Sequence, residues 1–118
     1  MTTTHWHDRA AALEIDGRAF IGGERMHARS GARFDCISLV DGRKLAEVAR
    51  CDLADVDAAV SVARAAFEDR RWASKAPAER KRVLVRFADL MLEHRDELAL
   101  LETLDMGKPI RYSRSVDV

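Results

Sequence analysis

The sequence predicts an α/β fold in which β-hairpins come first and three helices follow. Apolar residues fall at partly alternating positions between Ala19 and Arg50, and after Cys51 the apolar period changes from two to 3.6. Turn and stop residues stand where elements should change: Gly22-Gly23, Asp41-Gly42, Pro77 and Gly107.

Taken in order, Arg9-Ala10-Ala11-Ala12-Leu13 has good helix propensity and predicts a short helix from Asp8 to Leu13 that ends before Gly17, with the residues ahead of it frayed. Ala19-Phe20-Ile21 and Glu24-Arg25-Met26 flank Gly22-Gly23, a pair that takes the positive dihedrals of a two-residue hairpin turn. Arg33 to Leu39 and Lys44 to Arg50 read as two further strands around Asp41-Gly42. Val56, Ala59, Val60, Ala63, Ala66 and Phe67 then share one helical face, which predicts a helix from Leu53 to Glu68 capped by Asp52. A charged connector around Trp72 leads to Pro77, placed where a first helical turn tolerates a missing N–H. The second helix carries its apolar stripe on Val83, Leu84, Phe87, Ala88 and Met91, with Arg80, Lys81, Arg82, Arg86 and Glu93 on the wetter sides. A third helix starts near Arg95 or Asp96, buries Leu98, Leu101 and Leu104, and stops at Gly107. Pro109 blocks simple continuation, and Ile110 to Val118 opens a further helix with no stop signal.

A length of 118 residues with 47% hydrophobic content fits one small domain with a moderate core. Twenty basic residues balance twenty acidic ones, so no global field draws in nucleic acid or an anionic membrane. Apolar runs fall far short of the roughly 20 residues that cross a bilayer, and Met1-Thr2-Thr3-Thr4-His5 lacks the basic start and apolar stretch of a signal peptide. The expectation is a cytoplasmic protein. Cys36 and Cys51 have no Cys-x-x-Cys spacing and fit reduced structural thiols better than a disulfide frame or a zinc site.

Gly107-Lys108 is not a phosphate loop, which needs a glycine where Glu102 stands and a hydroxyl residue where Pro109 stands. No Gly-x-Gly-x-x-Gly occurs, so the dinucleotide fingerprint is absent. His5-Trp6-His7 offers two imidazoles where zinc wants at least three protein ligands. Arg70-Arg71, Lys75, Arg80-Lys81-Arg82 and Arg86 concentrate positive charge, but Glu79 and Asp89 interrupt it and Trp72 is its single aromatic, which favours a solvated helix face over RNA binding.

Leu98 to Ile110 reads Leu-Ala-Leu-Leu-Glu-Thr-Leu-Asp-Met-Gly-Lys-Pro-Ile and resembles a signature of the aldehyde dehydrogenase superfamily. Trp6-His7-Asp8-Arg9-Ala10, Phe20-Ile21-Gly22-Gly23-Glu24, Asp55-Val56-Asp57-Ala58-Ala59-Val60, Pro77-Ala78-Glu79-Arg80 and Phe87-Ala88-Asp89-Leu90 follow the order and spacing of that family's amino-terminal region. The Trp6 segment and Leu104 to Arg111 look most like the gamma-glutamyl-gamma-aminobutyraldehyde dehydrogenase branch.

The resemblance implies that residues 1–118 are the amino-terminal segment of an NAD(P)-binding domain, an incomplete fold without the catalytic and oligomerisation domains. The implied parent is an NAD- or NADP-dependent enzyme that oxidises a small-molecule aldehyde to a carboxylate, with an aminoaldehyde of polyamine catabolism as candidate, and works as a homo-oligomer without nucleic acid or membrane. Its chemistry uses a cysteine thiolate, a water-activating glutamate, oxyanion donors and a nicotinamide. Neither Cys36 nor Cys51 matches the nucleophile motif, so no catalytic or cofactor-binding residue is assigned to the chain and it should be inactive alone. One site transfers residue by residue: the Asp105 carboxylate, with the main-chain carbonyls of Cys36 and Ile37, as ligands of a structural monovalent cation. Where most members read Ile-Asn-Pro, this chain reads Ile37-Ser38-Leu39. The competing reading is a stand-alone interaction module, which binds a partner through helix faces left exposed.

Overall fold

A computed structural model describes residues 3–118; Met1 and Thr2, which open the segment read for a leader signal, lie outside the described residues. Helix α1 (Thr3–Ala12) begins earlier than the alanine run predicts and takes in His5-Trp6-His7, which is helical rather than frayed. The Arg9 guanidinium lies 4.8 Å from the centre of the Trp6 ring and donates to Asp96 at 2.9 Å, which ties α1 to a helix far along the chain.

Strands β1 (Ala19–Ile21) and β2 (Glu24–Met26) form the predicted hairpin, in antiparallel register Ala19 to Met26, Phe20 to Arg25 and Ile21 to Glu24. Gly22 and Gly23 have φ of 65° and 86°, the two positive values this turn demands. The second hairpin departs from expectation. Strand β3 (Arg33–Ile37) ends before Leu39, with a bulge between Cys36 and Ile37, and β4 (Lys44–Ala49) pairs with it antiparallel. The connection is longer than a two-residue turn at Asp41-Gly42. Buried Ser38 organises it: its N–H donates to the Arg43 carbonyl at 2.8 Å, its carbonyl accepts from Gly42 at 2.9 Å, and its hydroxyl accepts from the Val40 N–H at 3.2 Å.

Helix α2 (Leu53–Glu68) starts at the predicted cap, where the Asp52 side chain accepts from the Ala54 N–H at 3.0 Å. Asp55 completes the box by accepting from the Asp52 N–H at 3.0 Å, and also from the Arg29 N–H at 3.0 Å. Those donors, Asp52 first, hold the Asp55 carboxyl below the usual carboxylate range and fasten the loop after β2 to the start of α2. Helix α3 (Pro77–Glu93) has Pro77 in its first turn, and Glu79 accepts from the Ala76 N–H at 3.2 Å.

Helix α4 (Arg95–Met106) ends on left-handed Gly107. It buries Ala99, Leu100 and Leu104, whereas Leu98, expected inside, is exposed. The difference lies in which side has neighbours: α4 packs on α1, on α5 (Ile110–Tyr112) and on the π-helical turn Ser113–Asp117 that follows. There Ser113 is fully buried, its hydroxyl 3.2 Å from that of Thr103. Asp96 pairs with Arg114 as well as Arg9, and the Arg95 side chain donates to the Arg114 carbonyl at 2.8 Å. The molecule is a slab of 49 × 40 × 19 Å.

Gly17 stands where backbone meets backbone. Its carbonyl accepts from the Ala49 N–H at 2.8 Å, and a Cβ on it would lie 2.0 Å from the Glu47 carbonyl oxygen. Gly17→Ala is expected to destabilise the chain more than Gly23→Ala, whose added Cβ meets open space and costs about 1–2 kcal/mol through its positive φ alone. Urea unfolding followed by circular dichroism checks the order; equal losses would remove the steric role of Gly17.

Candidate functional site

Strand β3 and the last turn of α4 bring Cys36 and Asp105 together, 69 residues apart in sequence. Cys36 lies opposite Ala46 on β4, just before the bulge, and its thiol donates to Asp105 Oδ1 at 3.5 Å. The pair lies in a groove of about 510 Å³ walled by Val48, Leu101 and Leu104, with Asp16, Gly17 and Arg18 at its edge. Arg18 carries no free charge into it, since Nε and Nη2 bind Asp16 at 3.0 and 2.6 Å. That pairing holds the Asp16 carboxyl well below the usual carboxylate range.

Burial, and then the bond to the Asp105 carboxylate, push the Cys36 thiol above its ordinary value. A nucleophilic cysteine needs the opposite shift. Asp105 itself ends α4, where helix carbonyls place partial negative charge. Lys108, the nearest basic residue in the sequence, pairs with Asp117 instead.

The other candidates stay dispersed. His5 and His7 sit on α1, with the His5 ring edge-on to Trp6 at 5.8 Å, and Cys51 is exposed beyond β4. Among the described residues no three His, Cys, Asp or Glu side chains gather into a metal-binding group. Within the basic stretch, Arg71 pairs with Asp69 and Arg86 with Glu93 at 2.8 Å. Two residues that organise the fold, Asp55 and Asp96, were not singled out by sequence. The Asp52-x-x-Asp55 spacing is a legible capping signal. Asp96 has none, because its arginines lie 87 and 18 positions away.

The raised Cys36 value means that this thiol stays protonated near neutral pH and yields thiolate only as the pH climbs past the ordinary thiol range. Iodoacetamide near neutral pH should therefore modify exposed Cys51 well before Cys36, and Asp105→Asn should bring Cys36 reactivity to lower pH by removing the facing charge. Mass spectrometry of timed digests reads both rates. Equal labelling of the two thiols would show that burial and Asp105 do not control Cys36.

The pattern of the Aldehyde dehydrogenase family matches residues 26–118. The NADP/NAD-dependent aldehyde dehydrogenase PuuC of Escherichia coli (strain K12) is 46% identical over 114 residues, 97% of this chain and 23% of its own length. The aminoacetaldehyde dehydrogenase of Pseudomonas aeruginosa is 50% identical over 92% of this chain and 22% of its own length. A crystal structure of gamma-glutamyl-gamma-aminobutyraldehyde dehydrogenase from Burkholderia cenocepacia J2315 superposes with a TM-score of 0.97 and 56% identity over 99% of this chain and 24% of that one. The chain thus spans under a quarter of the length of these relatives. A family pattern covering most of the residues, and relatives alike from α1 to the last turn, leave one assignment: the chain belongs to the aldehyde dehydrogenase family.

Proposed function

We propose that this chain is the leading segment of the NAD(P)-binding domain of an aldehyde dehydrogenase, and that the whole enzyme oxidises an aminoaldehyde of polyamine catabolism to its carboxylate. What supports this reading is similarity across nearly the whole chain to relatives named for aminoaldehydes, among them the gamma-glutamyl-gamma-aminobutyraldehyde dehydrogenase at 56% identity. The whole enzyme works in the cytoplasm as a homo-oligomer with NAD or NADP. No described helix is long and apolar enough to cross a membrane. The segment contributes structure rather than chemistry: its better-placed thiol, Cys36, is held protonated, and the nucleophile, the water-activating glutamate and the dinucleotide loop belong to the rest of the enzyme. The chain alone is inactive.

The same reading gives Asp105 a monovalent cation, shared with the main-chain carbonyls of Cys36 and Ile37. The donor chemistry fits, because hard cations take carboxylate and carbonyl oxygens. A carboxylate on the negative end of α4, bonded to a neutral thiol, is also a place where positive charge is stabilising. There the ion would hold the end of α4 against β3.

The purified chain is expected to show no aldehyde-dependent reduction of NAD or NADP above a protein-free blank, whereas the same residues in place of the matching segment of E. coli PuuC should support it with an aminoaldehyde. Turnover by the chain alone, or an inactive but folded chimera, contradicts the reading. In that chimera Asp105→Ala should lower the melting temperature and abolish its dependence on potassium or sodium. Unchanged salt dependence would remove the cation.

A further inference from the structure

Helix α1 is held lightly and from one side. From His5 on none of its residues is buried, and ten residues make a helix too short to persist in water by itself. Among the described side chains a single bond leaves it, from Arg9 to Asp96 at 2.9 Å, and the two side chains are 35% and 27% exposed. The guanidinium is steadied from within α1, against the Trp6 ring. Behind the helix, Leu13 to Asp16 forms no regular element, and the chain is pinned again at Gly17, whose carbonyl accepts from the Ala49 N–H. Helix α1 therefore has a hinge at one end and one ionic contact along its length.

Asp96 has a second partner that does not move with α1. Arg114 binds the same carboxylate, and the Arg95 side chain fixes Arg114 by donating to its carbonyl at 2.8 Å. When Arg9 leaves, it passes into water while Asp96 keeps a cation, so departure of α1 strands no half-buried charge. A carboxylate bonded to Arg9 alone would be left unpaired. We infer that α1 is an ion-latched strap: it swings away from α4 on the Leu13–Asp16 hinge, the Arg9–Asp96 pair is the latch, and Arg114 keeps the carboxyl-terminal turn closed while the strap is open. Ionic strength is its input, because mobile ions screen a partly exposed pair. Opening clears the side of α4 on which α1 lies and leaves the hairpins pinned at Gly17. The inference stands apart from the reading of the chain as an enzyme segment.

The test is amide hydrogen exchange of the full 118-residue chain, followed by mass spectrometry of peptides from α1, α4 and the carboxyl-terminal turn. Arg9→Met keeps an apolar stem without the charge; it should speed exchange in α1 roughly two- to fivefold and leave the terminal turn unchanged. Arg114→Met should do the reverse, and Asp96→Asn should loosen both. Raising choline chloride from about 0.01 to 1 M shortens the screening length about tenfold. That change should speed exchange in α1 of the parent sequence and leave Arg9→Met where it was. Exchange in α1 that is equal in the parent sequence and Arg9→Met overturns the latch, since packing then holds the helix. Loosening of the terminal turn by Arg9→Met as far as α1 shows that the two ends open as one body, which overturns the strap. A salt response that persists in Arg9→Met, or an α1 already fully exchanged at the first time point in the parent sequence, overturns it as well.

Discussion

The face of α4 that carries Ala99, Leu100 and Leu104 is the contact on which the rest of the chain depends, because it joins segments that have no other reason to meet. Ala99 is fully buried, and its short side chain lets a neighbouring element approach closely. Around that seam, Asp96 binds Arg9 from α1 and Arg114 from the carboxyl-terminal turn, and Thr103 meets buried Ser113. The two arginines, Arg114 first, hold the Asp96 carboxyl below its ordinary range, so this clasp is ionised throughout the neutral region. The other end of the same helix carries Asp105 to Cys36. A shift of α4 would therefore move the candidate site and the terminal contacts together.

How much of this was legible in the sequence follows from how far each signal reaches. The limits of β1, β2, α2 and α3 are set within a few residues of themselves, by Gly22-Gly23, by Asp52 with Asp55, and by Pro77, and those elements lie where the sequence puts them. The end of β3 and the exposure of Leu98 depend on contacts outside the elements themselves: the Ser38–Arg43 connection that follows the strand for the first, the one-sided packing of α4 for the second. Periodicity shows that Leu98 lies on an apolar stripe but not which half of that stripe acquires a neighbour. The nearness of Cys36 and Asp105 was legible through family resemblance alone, since nothing local links a strand near the start to a helix end 69 residues later.

Two carboxylates show why one reads as architecture and the other as a binding position. Asp55 is buried, and its oxygens accept from the Asp52 and Arg29 amides, so its charge is already matched by dipoles that point at it. Asp105 is exposed at the end of a helix whose own carbonyls repel it, and the Cys36 thiol is a weak, neutral donor. The first needs nothing further. The second gains from any small cation that reaches it, and that asymmetry, rather than acidity alone, separates the two.

Helix α3 shows the limit of local signals as a source of stability. Pro77 and the Glu79 carboxylate, which accepts from the Ala76 N–H, define where it starts, but Ala76 offers no capping side chain. Yet most helical stability in proteins comes from tertiary packing of an apolar face, and no residue of this helix is buried. Its stripe from Val83 to Met91 thus specifies a helix whose main stabilisation comes from whatever surface covers it. The same holds for the outward face of α2, whose caps are better formed but whose Phe67 is equally uncovered. Hairpins and caps decide the shape of this chain, and the α4 seam holds its ends together. Its stability turns on the apolar area still facing water.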